Sequence, residues 1–478
     1  DGDACDGQNV VQRGVNAIGK RRGTVPFIDQ AFSTAAITAA FRVYATSGGT
    51  KYSAQVIVQG DRVLMSTNAA NPAWGSLYKL KTPGQRFDAA FADGYLLMTG
   101  SALTDPVLKI NILKSSATTL MDTASGQTIK LYAKHLAWVK NYLLLGNVRD
   151  VTELELSGAT TYYASRVYYS KLLSPASFTA AGFEPFNEED GQHITNIKEK
   201  GGSALVYKNR SAYTFSFKDL SPGGDQLVSQ VETGFGAAES YQVVSVPNYD
   251  IVLDRSGIYG FDGGRRSGVS LSDSFKEISL DISSLYSSIV ENGLLGGCVT
   301  GYYAKKGWFV FAYEDPDAYP KGSPNRVLFY DFVTGKWSLP VRGWTPTSLC
   351  FWDQDDGEMF YGDAYSGLLY EADVDTQLND ARRELPLDAM DSGLGWPGAT
   401  LNTTEVREGS ASLKVVVSAT VNMSSMARVA VYNFSQWPDG SPIVKSETSL
   451  EFKVYPASIS NLQTIRVDLQ VEGVSNNF

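Results

Sequence analysis

Leu136-Ala137-Trp138-Val139-Lys140-Asn141-Tyr142-Leu143-Leu144-Leu145 reads as two apolar strands joined by a two-residue turn, and the same design returns along most of the chain. Upstream, Val56-Ile57-Val58 passes through Gln59-Gly60-Asp61 into Val63-Leu64-Met65, and Ala89-Ala90-Phe91 turns at Asp93-Gly94 into Tyr95-Leu96-Leu97-Met98. Downstream, residues 194–207 turn at Gly201-Gly202, residues 243–253 near Asn248, residues 301–311 at Lys306-Gly307, and residues 348–361 at Asp356-Gly357. In each hairpin a Gly or Asn supplies the positive φ that a tight turn needs. The flanking runs are nearly continuous in apolar residues, so both faces of each strand are expected to be covered. Turn-to-turn spacings of about 35 to 60 residues suit one four-stranded blade each.

These units predict an all-β chain: a β-propeller of six to eight blades over residues 30–373, after an N-terminal arm at 1–29. A blade cannot bury both faces alone, whereas radial stacking covers each sheet with its neighbours. A single β-sandwich is the rival, but repeated hairpins over so long a stretch exceed one sandwich. Leu143, Val206, Val252, Phe309 and Phe360 are the expected core of the inner strands. Asn325-Arg326-Val327-Leu328-Phe329-Tyr330-Asp331-Phe332-Val333-Thr334-Gly335-Lys336-Trp337-Ser338 adds a strand, a Thr-Gly turn and a strand with a packing Trp, similar to the kelch pattern. Residues 374–395 are polar and acid-rich, a linker. From 396 to 478 strands with apolar/polar alternation, such as Leu450-Glu451-Phe452-Lys453-Val454-Tyr455, predict a β-sandwich of jelly-roll type.

Bulk composition narrows the function. The 478 residues include 26 Tyr, 22 Phe and 45 Gly, a mixture that favours strands and turns. A net charge of −10 disfavours a protein that grips DNA, since phosphate neutralisation calls for basic excess. Lys20-Arg21-Arg22 is the one compact basic cluster, and a solvated turn accounts for it. Three cysteines with no paired spacing indicate no disulfide scaffold; Cys298 and Cys350 sit in apolar strands as buried thiols. No apolar run is long enough to span a membrane, and no signal-peptide pattern opens the sequence.

Candidate chemistry is sparse. His135 and His193 are the only imidazoles, and neither is accompanied by a Gly-x-Ser-x-Gly elbow. Asp353-Gln354-Asp355-Asp356-Gly357-Glu358 fails the calcium-loop pattern, because Gly357 falls fifth and Ala364 twelfth. Glycoside hydrolysis needs only two placed carboxylates, yet the sialidase-type turn is incomplete at Asp254-Arg255-Ser256-Gly257-Ile258-Tyr259, which lacks its Trp. The expectation is therefore a non-enzyme with no catalytic residues, metal or cofactor.

Three segments, in order, resemble the nozzle-like β-propeller virion proteins of tailed bacteriophages. They are Gly14-Val15-Asn16-Ala17-Ile18-Gly19-Lys20-Arg21-Arg22-Gly23, then Arg166-Val167-Tyr168-Tyr169-Ser170-Lys171-Leu172-Leu173-Ser174-Pro175, then residues 204–213 followed by Thr233-Gly234-Phe235-Gly236 and Val252-Leu253-Asp254-Arg255-Ser256-Gly257-Ile258-Tyr259-Gly260-Phe261. The resemblance covers about residues 10 to 373; the chain lacks the usual apolar lead-in before Asn9, and its C-terminal extension is not general to the family. It implies a structural tail or neck component of the virion, made in the bacterial host cytoplasm. It also implies self-assembly into a ring, six copies favoured and three the runner-up, contacts with other tail or neck proteins, and DNA only as passing cargo. Long segments at 99–128, 178–192, 265–293 and 314–324 are the expected inter-blade contact loops. The alternative is a secreted or virion-associated propeller that binds or cleaves glycans.

The run Thr403-Thr404-Glu405-Val406-Arg407-Glu408-Gly409-Ser410-Ala411-Ser412-Leu413-Lys414 resembles jelly-roll carbohydrate-binding modules. It implies aid in host-surface attachment through glycans, with Trp396, Trp437 and Tyr455 as stacking platforms; packing of those rings in the sandwich core is the competing account. The segment is short for such a module, so continuation beyond Phe478 is expected.

Overall fold

The computed structural model describes residues 10–374 apart from 13–17, 21–22, 28–32, 34, 68–73, 93, 123–128, 151–160, 218–225, 264–274, 317–321, 342–343, 353–356 and 365–366. Beyond 374 it describes 400–402, 412–414, 470–471 and 474–475. Seven four-stranded antiparallel sheets follow one another along the chain. In every sheet the strands pair in simple order, here called a to d. The a strands of successive blades touch each other in an unbroken circle, so they line the axis. The protein is an all-β, seven-bladed propeller.

Blade 1 comprises Ile37–Ser47, Thr50–Gln59, Arg62–Ser66 and Gly75–Lys79. Blade 2 follows with Phe87–Ala92, Tyr95–Gly100, Leu108–Asn111 and Ser116–Thr119. The long strands Tyr132–Val139, Tyr142–Asp150, Thr161–Lys171 and Ser174–Pro185 form blade 3. Ile194–Lys200, Ser203–Lys208, Ser211–Phe217 and Gln226–Thr233 form blade 4. Val243–Ser245, Asp250–Asp254, Gly257–Phe261 and Phe275–Glu277 form blade 5, and Val299–Tyr303, Trp308–Tyr313, Arg326–Asp331 and Lys336–Trp337 form blade 6. Each hairpin unit legible in the sequence falls in a different blade. Six are a–b hairpins, and the one at residues 56–65 is the b–c hairpin of blade 1.

The reason for the continuous apolar runs is now plain. Leu143, Val206, Val252, Phe309 and Phe360 all have zero exposure, because a middle strand is covered on both faces by adjacent blades. Fully burying one such side chain is worth about 1.5–3 kcal/mol, and a lone blade would leave half of that unrealised. The turns obey the hairpin rule: Lys140 and Asn141 both hold positive φ (45° and 67°), as do Gly201 and Gly202 (54° and 76°). The kelch-like segment spans strands c and d of blade 6. There the Trp337 indole N–H donates to the Ile278 carbonyl at 2.6 Å, fastening blade 6 to the end of blade 5.

Blade 7 closes the ring with strands from both ends of the propeller. Pro346–Trp352, Glu358–Asp363 and Leu369–Val374 supply strands a to c, and the outermost strand is Gly23–Pro26. Gly23 pairs with Val374 and Pro26 with Tyr370, while the Phe27 N–H reaches the Leu369 carbonyl at 2.8 Å. The expected boundary at residue 30 is thus too late: residues 23–26 belong to the propeller, not to an arm. A second seam fastens blade 7 to blade 1. The Gln59 Nε2 group donates to the carbonyls of Gly367 (2.7 Å), Ser33 (2.8 Å) and Ala35 (3.1 Å), and the Ser348 hydroxyl donates to that of Ile37 (2.8 Å).

Three of the four expected contact loops contain blade elements. Residues 99–128 contain strands c and d of blade 2, and residues 178–192 include the end of strand d of blade 3. Residues 265–293 carry strand d of blade 5 and helix α1, Ser283–Glu291, whose Tyr286 and Ile289 are buried against blades 5 and 6. Polar outer strands look like loops in sequence because only one face of them meets the core. The fourth segment, 314–324, lies between strands b and c of blade 6. In the C-terminal part, Thr400–Asn402 pairs with Ser412–Lys414, and Gln470–Val471 with Val474–Ser475. The rest of the expected jelly roll lies outside the described residues.

Candidate functional site

Among the described residues, the a strands bring a constellation of polar side chains together at the axis. Asp88 and His135 each sit four residues before the end of strand a, in blades 2 and 3, and so lie at matching depth. Lys198 comes from strand a of blade 4, and Ser240 and Tyr241 from the segment leading into strand a of blade 5. The Asp88 carboxylate lies 3.6 Å from His135 Nδ1 and 4.0 Å from Lys198 Nζ, and it accepts the Leu136 N–H at 3.4 Å. On the other side of the ring, His135 Nε2 is 3.3 Å from Ser240 Oγ. The Tyr241 ring stands 5.0 Å from the imidazole, and its hydroxyl donates to the Lys134 carbonyl at 3.0 Å.

Electrostatics fix the protonation states. Burial pushes His135 below its ordinary value, outweighing the Asp88 carboxylate, so the imidazole is neutral at pH 7. Burial would raise Asp88, but Lys198, the imidazole and the Leu136 N–H together hold it below the usual carboxylate range. Burial, reinforced by Asp88, pushes Tyr241 well above the ordinary phenol value. His135 Nδ1 faces Asp88 but makes no hydrogen bond at 3.6 Å, while Nε2 lies within hydrogen-bond reach of the Ser240 hydroxyl. Hydroxyl, imidazole and carboxylate stand in the order of a nucleophilic proton relay whose imidazole–carboxylate link is open.

Arg86 adds a bar across the axis. It precedes strand a of blade 2, yet its guanidinium donates to the Cys298 carbonyl at 2.8 Å and the Gly297 carbonyl at 2.6 Å, just ahead of blade 6. Blades 2 and 6 stand on nearly opposite sides of a seven-membered circle. The side chain consequently reaches across the axis at this level. Blades 4 and 5 have a buried polar tie of their own, in which Tyr207 donates to Asp250 at 2.8 Å and Lys200 lies 3.5 Å from the same carboxylate.

Of the residues singled out from sequence, His135 is in this cluster. His193 is half-buried and precedes strand a of blade 4, and its backbone N–H donates to the Asn209 side-chain oxygen at 3.2 Å. Trp396, Trp437 and Tyr455 lie outside the described residues, as do Asp353, Asp355 and Asp356. Cys298 and Cys350 are both buried. Among the described residues no group of three or more His, Cys, Asp or Glu is placed to hold a metal ion, and no helix is long and apolar enough to cross a membrane. Sequence reasoning missed Asp88, Ser240, Lys198 and Arg86. The equal depth of Asp88 and His135 before their turns was the available signal.

No family model matches the chain, and no curated protein does. Among solved structures, the extracellular domain of a hybrid two-component system from B. thetaiotaomicron is similar at a TM-score of 0.42 and 9% identity. The match covers 73% of this chain and 40% of that one, so this chain spans well under half of its length.

Proposed function

We propose that the protein is a non-enzymatic structural component of a tailed-phage particle, a tail or neck propeller that assembles with copies of itself into a ring. The observation that carries the reading is the ordered set of nozzle-like segments at residues 14–23, 166–175 and 204–261. The architecture is compatible with a load-bearing part, being tied at the ring seam by Gly23–Pro26 and Gln59 and across the axis by Arg86. In this reading the axial cluster is a clamp: a neutral, fully buried imidazole joins blades 2, 3 and 5. In this reading DNA would pass along the axis of the ring, between copies, and Arg86 would tie the propeller across its own axis. Attachment to host glycans through Trp396, Trp437 and Tyr455 is a further part of the proposal. The test is electron microscopy of the native particle with an antibody to this chain. Several symmetry-related copies at the tail or neck support it, and a single copy or none refutes it.

A second reading, hydrolysis through Ser240, is favoured by the 3.3 Å and 3.6 Å spacings of the relay. A fluorophosphonate probe separates the two. Labelling of Ser240 that disappears in His135→Gln would make the protein a serine hydrolase, and no labelling leaves the clamp.

A further inference from the structure

Blade 7 is closed twice, and the two closures are built differently. At the periphery Gly23–Pro26 meets Leu369–Val374 at three register positions, with a shift between Gly23 and Val25 that leaves Thr24 outside the register. It is the outermost strand of its sheet, and Pro26 has no N–H to give the ladder. Phe27 follows with its N–H on the Leu369 carbonyl at 2.8 Å. Its half-buried ring stands edge-on to Phe360, with centroids 5.0 Å apart.

Nearer the axis the join is of another kind. Strands a and b of blade 7 share six register positions, and strands b and c share four. Ile37, Ile57, Leu64, Phe360 and Leu369, each at most 2% exposed, pack into one cluster across the join to blade 1. The Thr347 and Ser348 hydroxyls both donate to the Ile37 carbonyl, at 2.6 Å and 2.8 Å, and Gln59 reaches over to the Gly367 carbonyl at 2.7 Å. On the other flank, Tyr370 and Ala372 are buried with Tyr361 and Trp344 against Phe329 of blade 6. Strand c of blade 7 is therefore held by strand b and by both neighbouring blades, whether or not a fourth strand lies beside it.

We infer that residues 23–27 form a detachable latch, which leaves the edge of blade 7 while the circle of seven blades stays shut. The bonds of the latch are few and peripheral, as in segments that open at low free energy. The apolar clusters that hold blade 7 in place are its contacts with blades 6 and 1, and among the described side chains of the latch Phe27 alone reaches into one of them. Release therefore leaves the axial joins untouched. It bares the backbone of Leu369–Val374 as a strand edge on a propeller that is otherwise native. A latch of this kind can also be weakened at little expense to the whole, because its loss cannot cost more than its own opening free energy.

Hydrogen exchange of the full chain, followed by mass spectrometry along a urea series below the unfolding transition, tests it. Relative to the rates of an unstructured chain, amides of residues 23–27 should exchange at least about tenfold faster than those of 54–59 and 358–363, in the middle strands of blades 1 and 7. Their rate should barely change with urea, since a small opening exposes little surface. Amides of 54–59 and 358–363 should instead quicken along the slope of global unfolding. Phe27→Ala should speed exchange in 23–27, keep the wild-type circular dichroism, and leave the urea slope of 358–363 unchanged. If 23–27 follow the same urea slope as 358–363, the strand opens only with the whole propeller and the latch is overturned. If 358–363 open with 23–27 at the shallow slope, blade 7 leaves as a unit, and the separation of the two closures is overturned. Loss of the fold in Phe27→Ala would overturn it as well, because a low-energy latch cannot hold the whole propeller together.

Discussion

Replacing Arg86 with alanine is expected to cost the propeller about 2–4 kcal/mol. The figure follows from two hydrogen bonds donated by a charged group, at 2.8 Å and 2.6 Å, of which the one to Cys298 is the better shielded. Hydrogen bonds to charged groups are worth about 1.5–3 kcal/mol each, and the bond to exposed Gly297 is counted at the low end or below. Alanine also leaves the carbonyl of Cys298 facing a gap beside a fully buried thiol. Arg86→Lys should recover about half, since an ammonium is a point donor that cannot present the guanidinium's fork to two carbonyls. Equilibrium unfolding in urea, followed by Trp fluorescence, reads the change in midpoint, and an unchanged slope confirms that native stability alone has moved. A loss below about 0.5 kcal/mol for Arg86→Ala would refute the reasoning, for it would mean that the cross-axis bar holds nothing together.

Three further outcomes are expected. Gly362→Ala should loosen the seam between blades 7 and 1 by about 1–3 kcal/mol, because its new methyl would lie 2.5 Å from the Ile37 carbonyl; an unaltered urea midpoint would contradict this. Acidification should destabilise the protein from just below pH 6.5. His135 is depressed by burial when folded, so there the unfolded chain binds the extra proton, and the slope is at most about 1.4 kcal/mol per pH unit. His193, also lowered by burial, acts in the same direction, so His135→Gln should flatten the slope without abolishing it; equal slopes would exclude a neutral His135. Burial pushes the Cys298 thiol up to about 12, so it should resist a disulfide reagent at about pH 8 until urea opens the fold; rapid native labelling would contradict its burial.

The repeated hairpins were legible because their information is local: apolar runs flanking a Gly or Asn are visible within a dozen residues, as at Gly201-Gly202. The closing strand was not. Gly23–Pro26 is four residues long, and nothing nearby marks it as the partner of Leu369–Val374. Outer strands such as Ser116–Thr119 read as loop because only their inward face meets apolar neighbours. The axial cluster was hidden for a different reason. His135 and Ser240 are 105 residues apart, and only the circular arrangement of a strands brings them together.

The origin of blade 7's outer strand also bears on how the chain is born. Gly23–Pro26 leaves the ribosome far ahead of its partner strand, which ends only at Val374. At about 5–20 residues per second, it waits on the order of 20–70 s with its backbone donors and acceptors unsatisfied. Throughout that interval the nascent propeller is an open arc with blade 1 exposed at one end and the newest blade at the other. Strand edges of that kind invite pairing with other chains. Crowded polysomes making this protein should therefore be its most hazardous environment, and a holding chaperone acting on the N-terminal segment would improve its yield more than one acting after release.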